Sequence, residues 1–566
     1  MFVREKTING YTYLYLVESV REGKRTRQRI IKNLGRKEAV LAGGDLERLL
    51  ASVGRFAERS QVLSRLEAGD SAGLRCRRIG PPLLFGRLWE ETGCRAVLEE
   101  KLAGRGFEFS VERAVFTAVL HRIMVSGSDR ACEKWMADYA IPGAEGLSLH
   151  HFYRAMAWLG EELPADRQAH ATPFAARTIK DEIEEALFAR GRDLFTDLNV
   201  VFMDTTSLSF TGAGGDTLGA RGYSKDHRPD LNQMILAVVV DGNGRPVCSE
   251  MAPGNTADVT VLMPIVDRLR HRFAIARVCV VADRGMIAEA TLAKLEERKL
   301  EYVLGARERT DRLVRDRVLE DTAPLTPLLV HRKKGETQLF AKEVRVAGRR
   351  YIVCRNEAEA EKDRQDRQAI VAGLEAQLKK GDRALIGNSA YRRYLRKVQA
   401  QGGDGDGDGR CGAEAGGPAF EIDIGRLADE ARFDGVFVLR TNARITPLQA
   451  MLRYRDLLQV EELFRTAKAL MRTRPIYHSS DAAIRGHVFC SFLALVLRKE
   501  LHNRCDAAGL WPEWGDVLRD LDRLQEVTLQ TGGQTTILRT PTSGVAGPLF
   551  QAARVALPPN MRQPAA

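Results

Sequence analysis

Three acidic residues stand where a carboxylate is costly unless something compensates it. In "LNVVFMDTTSLSF" (198–210) an apolar, β-branched run climbs through Val200, Val201, Phe202 and Met203 and meets Asp204. Such a run predicts a strand over 198–203 that is buried on both faces. "RVCVVADRGM" repeats the posture, with Asp283 closing the apolar residues 278–282 ahead of a turn at Gly285. Burial penalises an ionised carboxylate, and two neighbouring ones penalise each other, unless a divalent cation neutralises both. If the two strands are neighbours, both acids lie at one edge of a sheet. Oxygen donors of that kind suit Mg²⁺ or Mn²⁺. The competing reading makes Asp204 a turn cap, with Thr205, Thr206 and Ser207 as turn residues.

A third acid comes from the helical pattern "YRDLLQVEELFRTAKALMR". Counted from Glu461, Tyr454 and Leu457 precede it by seven and four residues, and Phe464, Arg465 and Lys468 follow by three, four and seven. At helical pitch these share one face. An aromatic, an acid and a lysine in one stripe suit a face that meets a metal below and a phosphate backbone above. The alternative is an ordinary amphipathic helix with an exposed glutamate.

The elements that must position these residues are spread over 566 residues, too many for one core. Hydrophobic residues at 44% and charged residues at 28% exclude a disordered chain. The N-terminus has no signal-peptide pattern and no apolar run spans a bilayer, so a cytoplasmic protein without a membrane partner is expected. Nine scattered cysteines with no CxxC pair support neither a zinc ribbon nor a disulfide framework. The net charge of +11 is concentrated in 21–37, with a second basic patch at 392–397, which points to a polyanion such as nucleic acid. Alternation over 9–36 predicts two strands turning at Glu22-Gly23-Lys24. Helical spacing dominates from about 44 to 190. From 198 onward three antiparallel strands give way to alternating helix and strand, a mixed α/β pattern. Strand-like segments, a charged helix and a Gly/Asp-rich linker interrupt it between about 310 and 435, and the tail reads as helical and then irregular.

Together, "MDTTSLSF", "VVADRGM" and the spacing Y-x6-E-x6-K resemble the DDE transposases of bacterial insertion sequences, within the superfamily whose signature is Y-x2-R-x3-E-x6-K. "RGYSKDHRPDLNQ", "MAPGN", "FDGVFVLRTN" and "RPIYHSSDAAIRGHVFCSFLAL" are similar to the same group, and the motifs follow in order along nearly the whole chain. The chain departs from the signature at Leu457, where arginine is expected; Arg455 or Arg465 is the substitute phosphate contact. The resemblance implies an α/β, RNase H-like catalytic core with a mixed sheet, a largely β insertion, a helical N-terminal region and a short β-hairpin. The corresponding segments are a basic arm at 1–40, helical residues 44–190, core residues 196–309, an insertion at 310–432, core residues 433–500 and a tail at 501–566. It also implies two-metal phosphoryl transfer with Mg²⁺ or Mn²⁺, Asp204 bridging two ions and Asp283 and Glu461 holding one each. Tyr454, Lys468, Arg284 and Arg465 are then expected beside DNA. The implied partners are double-stranded terminal inverted repeats and target DNA, with a homodimer in the synaptic complex and a nucleoid-associated location. A metal-dependent nuclease of the same fold and a non-catalytic DNA-binding remnant are the rival readings.

Other signals point elsewhere. "DGDGDG" (404–409) lacks the glutamate of a calcium loop, with Ala415 at its twelfth position, and reads as a linker. Gly214 and Gly219 have phosphate-loop spacing, but Ala220 and Arg221 follow instead of Lys-Ser/Thr. His150, His151 and His478 have no ligand partner at metal spacing and are expected to be structural or to face DNA.

Overall fold

The computed structural model describes residues 2–8, 10–22, 25–42, 71–191, 200–223, 228–273, 275, 279–282, 289–332, 335–378, 394–398, 419–456, 476–531 and 534–563. They fall into two compact units, Met1–Arg78 with Arg523–Thr542 and Leu557–Ala566, and Ile79–Asp522 with Ser543–Ala556.

The first unit is built of β-structure. β1 (Phe2–Ile8), β2 (Tyr11–Glu22) and β3 (Arg25–Arg36) form an antiparallel sheet in that order. The expected hairpin is therefore the second half of a three-stranded meander. Gly10, at φ 79°, makes the turn between β1 and β2. Leu14 and Val17 of β2 are buried with Val40 of the short helix Lys37–Ala42. Arg27, Arg29, Lys32 and Arg36 of β3 are exposed. The Arg36 guanidinium lies 4.0 Å over the Tyr11 ring, a cation–π contact that braces the basic strand.

The same unit corrects the reading of two segments. Residues 71–78, expected to be helical, form β4 (Ser71–Arg78), and the tail contributes β16 (Gln525–Thr531), β17 (Gln534–Arg539) and β18 (Met561–Arg562). These make a four-stranded sheet ordered β18-β17-β16-β4. Pairing of Val527 with Cys76 is a contact between the two ends of the chain, which a local periodicity cannot register.

The second unit is organised around a nine-stranded mixed sheet. Its strands are β5 (Val200–Ser209), β6 (Gln233–Asp241), β7 (Pro246–Pro253), β8 (Cys279–Ala282), β9 (Glu301–Gly305), β10 (Thr326–Arg332), β11 (Gly335–Val346), β12 (Arg349–Arg355) and β15 (Val436–Thr441), ordered β10-β11-β12-β15-β9-β8-β5-β6-β7. β5, β6 and β7 are antiparallel to one another, whereas β8 runs parallel to β5 and β9 parallel to β8. β10–β12 continue the same sheet through β15. β13 (Leu395–Val398) and β14 (Ala419–Ile422) form a separate pair. The expected mixed α/β class is what the chain adopts.

Alternation along β5 assigns its two faces. Val201 and Met203 join Ile235, Ala237 and Val239 of β6 against Val261, Leu262, Ile265 and Leu269 of the helix Asp258–Arg272. Helices Val111–Met124 and Leu149–Leu159 pack on the long helix Asp481–Ala507. The last two meet through glycine: a Cβ at Gly486 would fall 1.9 Å from Met156 O, and one at Gly160 2.0 Å from Ala482 O. Only hydrogen fits at either position. Among the described residues no helix is long and apolar enough to cross a membrane.

Candidate active site

Asp204 does not end its strand. β5 continues to Ser209, and Asp204 stands opposite Val238 of β6. The last described pair between β5 and β8 is Met203 with Ala282, so Asp204 follows the point to which that parallel pairing is described. The antiparallel bonds to β6 carry the backbone onward through Thr205-Thr206-Ser207. The apolar run thus coincides with the described pairing to β8 and falls short of the strand's length.

The register also places Asp204 on a face. With Phe202 and Thr206 it lies on the side opposite the helix Asp258–Arg272. Its carboxylate is half-buried, and Oδ1 accepts a 2.7 Å hydrogen bond from the Thr205 N–H. Thr206 Oγ1, on the same face, is buried without a hydrogen-bond partner among the described residues.

Tyr454 belongs to the helix over 447–456 and is half-buried. Its ring lies 6.4 Å from that of Phe437 on β15, nearly parallel at 17°. Arg453, beside it, reaches Cys279 Sγ of β8 at 3.7 Å. Burial pushes the Cys279 thiol up to about 11, so this is a contact with a neutral sulfur. Register shows that Cys279 and Val281 share the face of Phe202, and that Val303, Thr441 and Phe437 continue it across β9 and β15. The helix carrying Tyr454 therefore covers the sheet face on which Asp204 lies. Leu304 pairs with Arg440, and β15 runs antiparallel to β9, so Phe437 lies toward the sheet end at which Asp204 stands. Arg453 was not among the residues singled out from sequence; its place between Tyr454 and β8 depends on the helix crossing.

Of the remaining expected site residues, Asp283, Arg284, Glu461, Arg465 and Lys468 lie outside the described residues.

Two sequence motifs meet beside this sheet. A Cβ at Gly222 of "RGYSKDHRPDLNQ" would lie 2.0 Å from the carbonyl oxygen of Gly254 in "MAPGN". Gln233 Nε2 donates to Tyr223 O at 2.8 Å and to Gly254 O at 3.3 Å. The glycines of both motifs thus allow two backbones to touch, and the glutamine holds them in register. The nearby glycine-rich loop wraps a carboxylate of the chain itself: Asp216 N and Thr217 N donate to Asp481 at 3.0 and 3.1 Å.

The structure gives His478 neighbours that its sequence spacing does not announce. It meets Asp129 and His487, with ligand-capable atoms of all three within 4.8 Å of one another. Asp129 comes from a distant helix, so no spacing rule could pair them. The histidines, nine residues apart within one motif, were the available signal.

Two family models match the chain. The model of the IS1634 family transposase N-terminal domain matches residues 3–67, and that of the transposase DDE domain matches residues 196–497. A search of curated proteins returns no match. Among solved structures, the Mos1 transposase paired-end complex with left transposon end aligns at 16% identity and a TM-score of 0.13, covering 35% of this chain and 60% of that one. The Mos1 mariner paired-end complex with Mn aligns at 14% identity and a TM-score of 0.13, covering 37% and 66%. This chain therefore spans less than two thirds of the first of these structures. The DDE domain takes in more than half of the 566 residues, all of β5–β9 and the helix that carries Tyr454: the chain belongs to the DDE transposases.

Proposed function

We propose that the chain binds the terminal inverted repeats of its own element and catalyses metal-dependent DNA cleavage and strand transfer. The observation that carries this reading is Asp204, half-buried beside the β5–β8 pairing and on the sheet face spanned by the Tyr454 helix. A carboxylate with a buried, unpartnered hydroxyl two residues on the same face offers hard oxygen donors, which fit Mg²⁺ or Mn²⁺. Asp204, Asp283 and Glu461 would hold such ions. Bound there, the ions supply a lowered pKa to the attacking water or 3′-hydroxyl and charge neutralisation to the leaving oxygen.

The protein's own groups align the substrate. Tyr454, Arg284, Arg465 and Lys468 contact the DNA backbone and hold the scissile phosphate against the acids. The exposed arginines of β3 add a sequence-independent grip on phosphates. An RNase H-like core corresponds to the order β7-β6-β5-β8-β9. Two protomers and a target duplex complete the reaction. Incubation with Mg²⁺ and labelled terminal-repeat duplexes tests this: joined product supports transposition, cut product alone supports a nuclease, and bound but intact DNA supports a non-catalytic remnant.

A further inference from the structure

A second polar cluster gathers residues from three segments of the chain. Asp129 opens the helix Asp129–Met136 behind its cap Ser128, His478 precedes the helix Asp481–Ala507, and His487 lies inside it. Asp129 Oδ2 accepts from His478 Nε2 at 3.0 Å and lies 3.9 Å from His487 Nδ1. The side chains of Asp129, His487 and His478 are only 1%, 6% and 12% exposed. Together they form one wall of a cavity of about 820 Å³, whose other walls include Tyr153, Arg154 and Tyr477.

The chemistry of the cluster is that of a ligand set. Burial and the nearby Arg122 push the His487 imidazole down to about 4, so it is neutral at pH 7. Burial alone would raise Asp129, but the hydrogen bond from His478 and the charge of Arg122 hold its carboxyl well below the usual range. Two imidazoles and one carboxylate are the donors that zinc-class transition metals take, with a fourth position left open. Arg122 is the group now supplying the positive charge. Its Nη2 donates to His487 Nδ1 at 2.8 Å and lies 3.4 Å from Asp129 Oδ1. Its Nη1 is anchored on Ala118 O, while Nε has no partner among the described residues. A guanidinium accepts nothing, so His487 carries its proton on Nε2, which likewise has no partner among the described residues.

We propose that Asp129, His478 and His487 form a binding site for a zinc-class divalent metal, distinct from the Asp204 site. The ion takes the place of Arg122 Nη2 between the three side chains, while His478 moves its proton from Nε2 to Nδ1. Its effect is to cross-brace the helix Asp129–Met136 to the helix Asp481–Ala507 and to present an exchangeable position to the cavity.

The test uses the full chain carrying Asp204→Asn, so that the other acidic site does not confound the count. After incubation with Zn²⁺ and desalting, the metal content is compared with that of the same chain bearing His478→Gln or Asp129→Asn. His478 borders the cavity, so its substitution leaves the core packing in place. We expect one zinc per chain in the parent, loss of it in both variants, and a zinc-dependent rise in melting temperature confined to the parent. Co²⁺ in place of zinc should give the intense visible bands of a four-coordinate site. Zinc content in the parent no higher than in His478→Gln would overturn the proposal and leave an ion-pair cluster closed by Arg122. Activity of the chain with Asp204 intact is a separate measurement, so failure here does not bear on the proposed transposition.

Discussion

The two faces of the central sheet solve opposite problems with alternate residues of the same strands. On one face Val201, Met203 and Val239 meet the apolar side of the helix Asp258–Arg272, with a cluster of paired charges at its margin. There Arg268, 1% exposed, lies 2.9 Å from Asp181 and 3.2 Å from Glu250 and also pairs with Glu184, while its Nη1 donates to Ser249 O at 2.8 Å. Lys180 Nζ donates to the same carbonyl at 2.9 Å. The other face carries Asp204, the unpartnered Thr206 hydroxyl and, across the sheet, Arg453 and Tyr454. The lesson is that one sheet can carry a dense, buried ion-pair network at the margin of one face and, on the other, a carboxylate beside a buried hydroxyl, Thr206, that has no partner among the described residues.

Substitutions on the two faces should accordingly fail in different assays. The largest effect is expected from Asp204→Asn: cleavage of terminal-repeat DNA should fall by about a thousandfold or more, roughly 4 kcal/mol in barrier. Gel-shift affinity and melting temperature should hold. Arg268→Ala should do the reverse, costing about 3–5 kcal/mol in denaturant unfolding by removing a buried counter-charge that Asp181, Glu184 and Glu250 share. Specific activity of the protein that remains folded should be little changed.

A pH titration sharpens the contrast with the histidine cluster. His487 is depressed to about 4 in the folded chain, so between about 6.5 and 4 the unfolded chain binds a proton that the folded one does not. Stability should therefore fall as pH drops through that window, by about 3 kcal/mol over its width. Chemical denaturation at pH 7, 5.5 and 4.5 should show a shallower slope in His487→Asn. The smallest effect is assigned to Tyr454→Phe. If its hydroxyl serves one phosphate contact, strand-transfer yield should drop only several-fold, about 1 kcal/mol, with stability unaltered.

How much of this could be read from the chain follows from how local each signal is. The apolar residues before Asp204 announced a strand because burial between β6 and β8 demands β-branched side chains on both faces. Its extension to Ser209 was hidden because it depends on pairing with β6, not on the residues themselves. The tail strands were legible in principle: "QEVTLQTGGQTTILRT" alternates about a Gly-Gly turn. β4 was not, since "SAGLRCRR" acquires its partner only when the chain ends come together. Asn9-Gly10 likewise marked the β1–β2 turn. Asp129 carried no signal at all; its meeting with His478 and His487 is a product of helix packing.

The central claim is that Asp204 grips a divalent ion, and changing its ligand chemistry tests that most directly. Asp204→Cys replaces a hard oxygen by a soft sulfur, which Mg²⁺ avoids and Mn²⁺ tolerates. Cleavage of terminal-repeat duplexes by this variant should be absent in Mg²⁺ and partly restored in Mn²⁺. Cleavage in Mg²⁺ as fast as that of the unsubstituted chain would contradict the assignment.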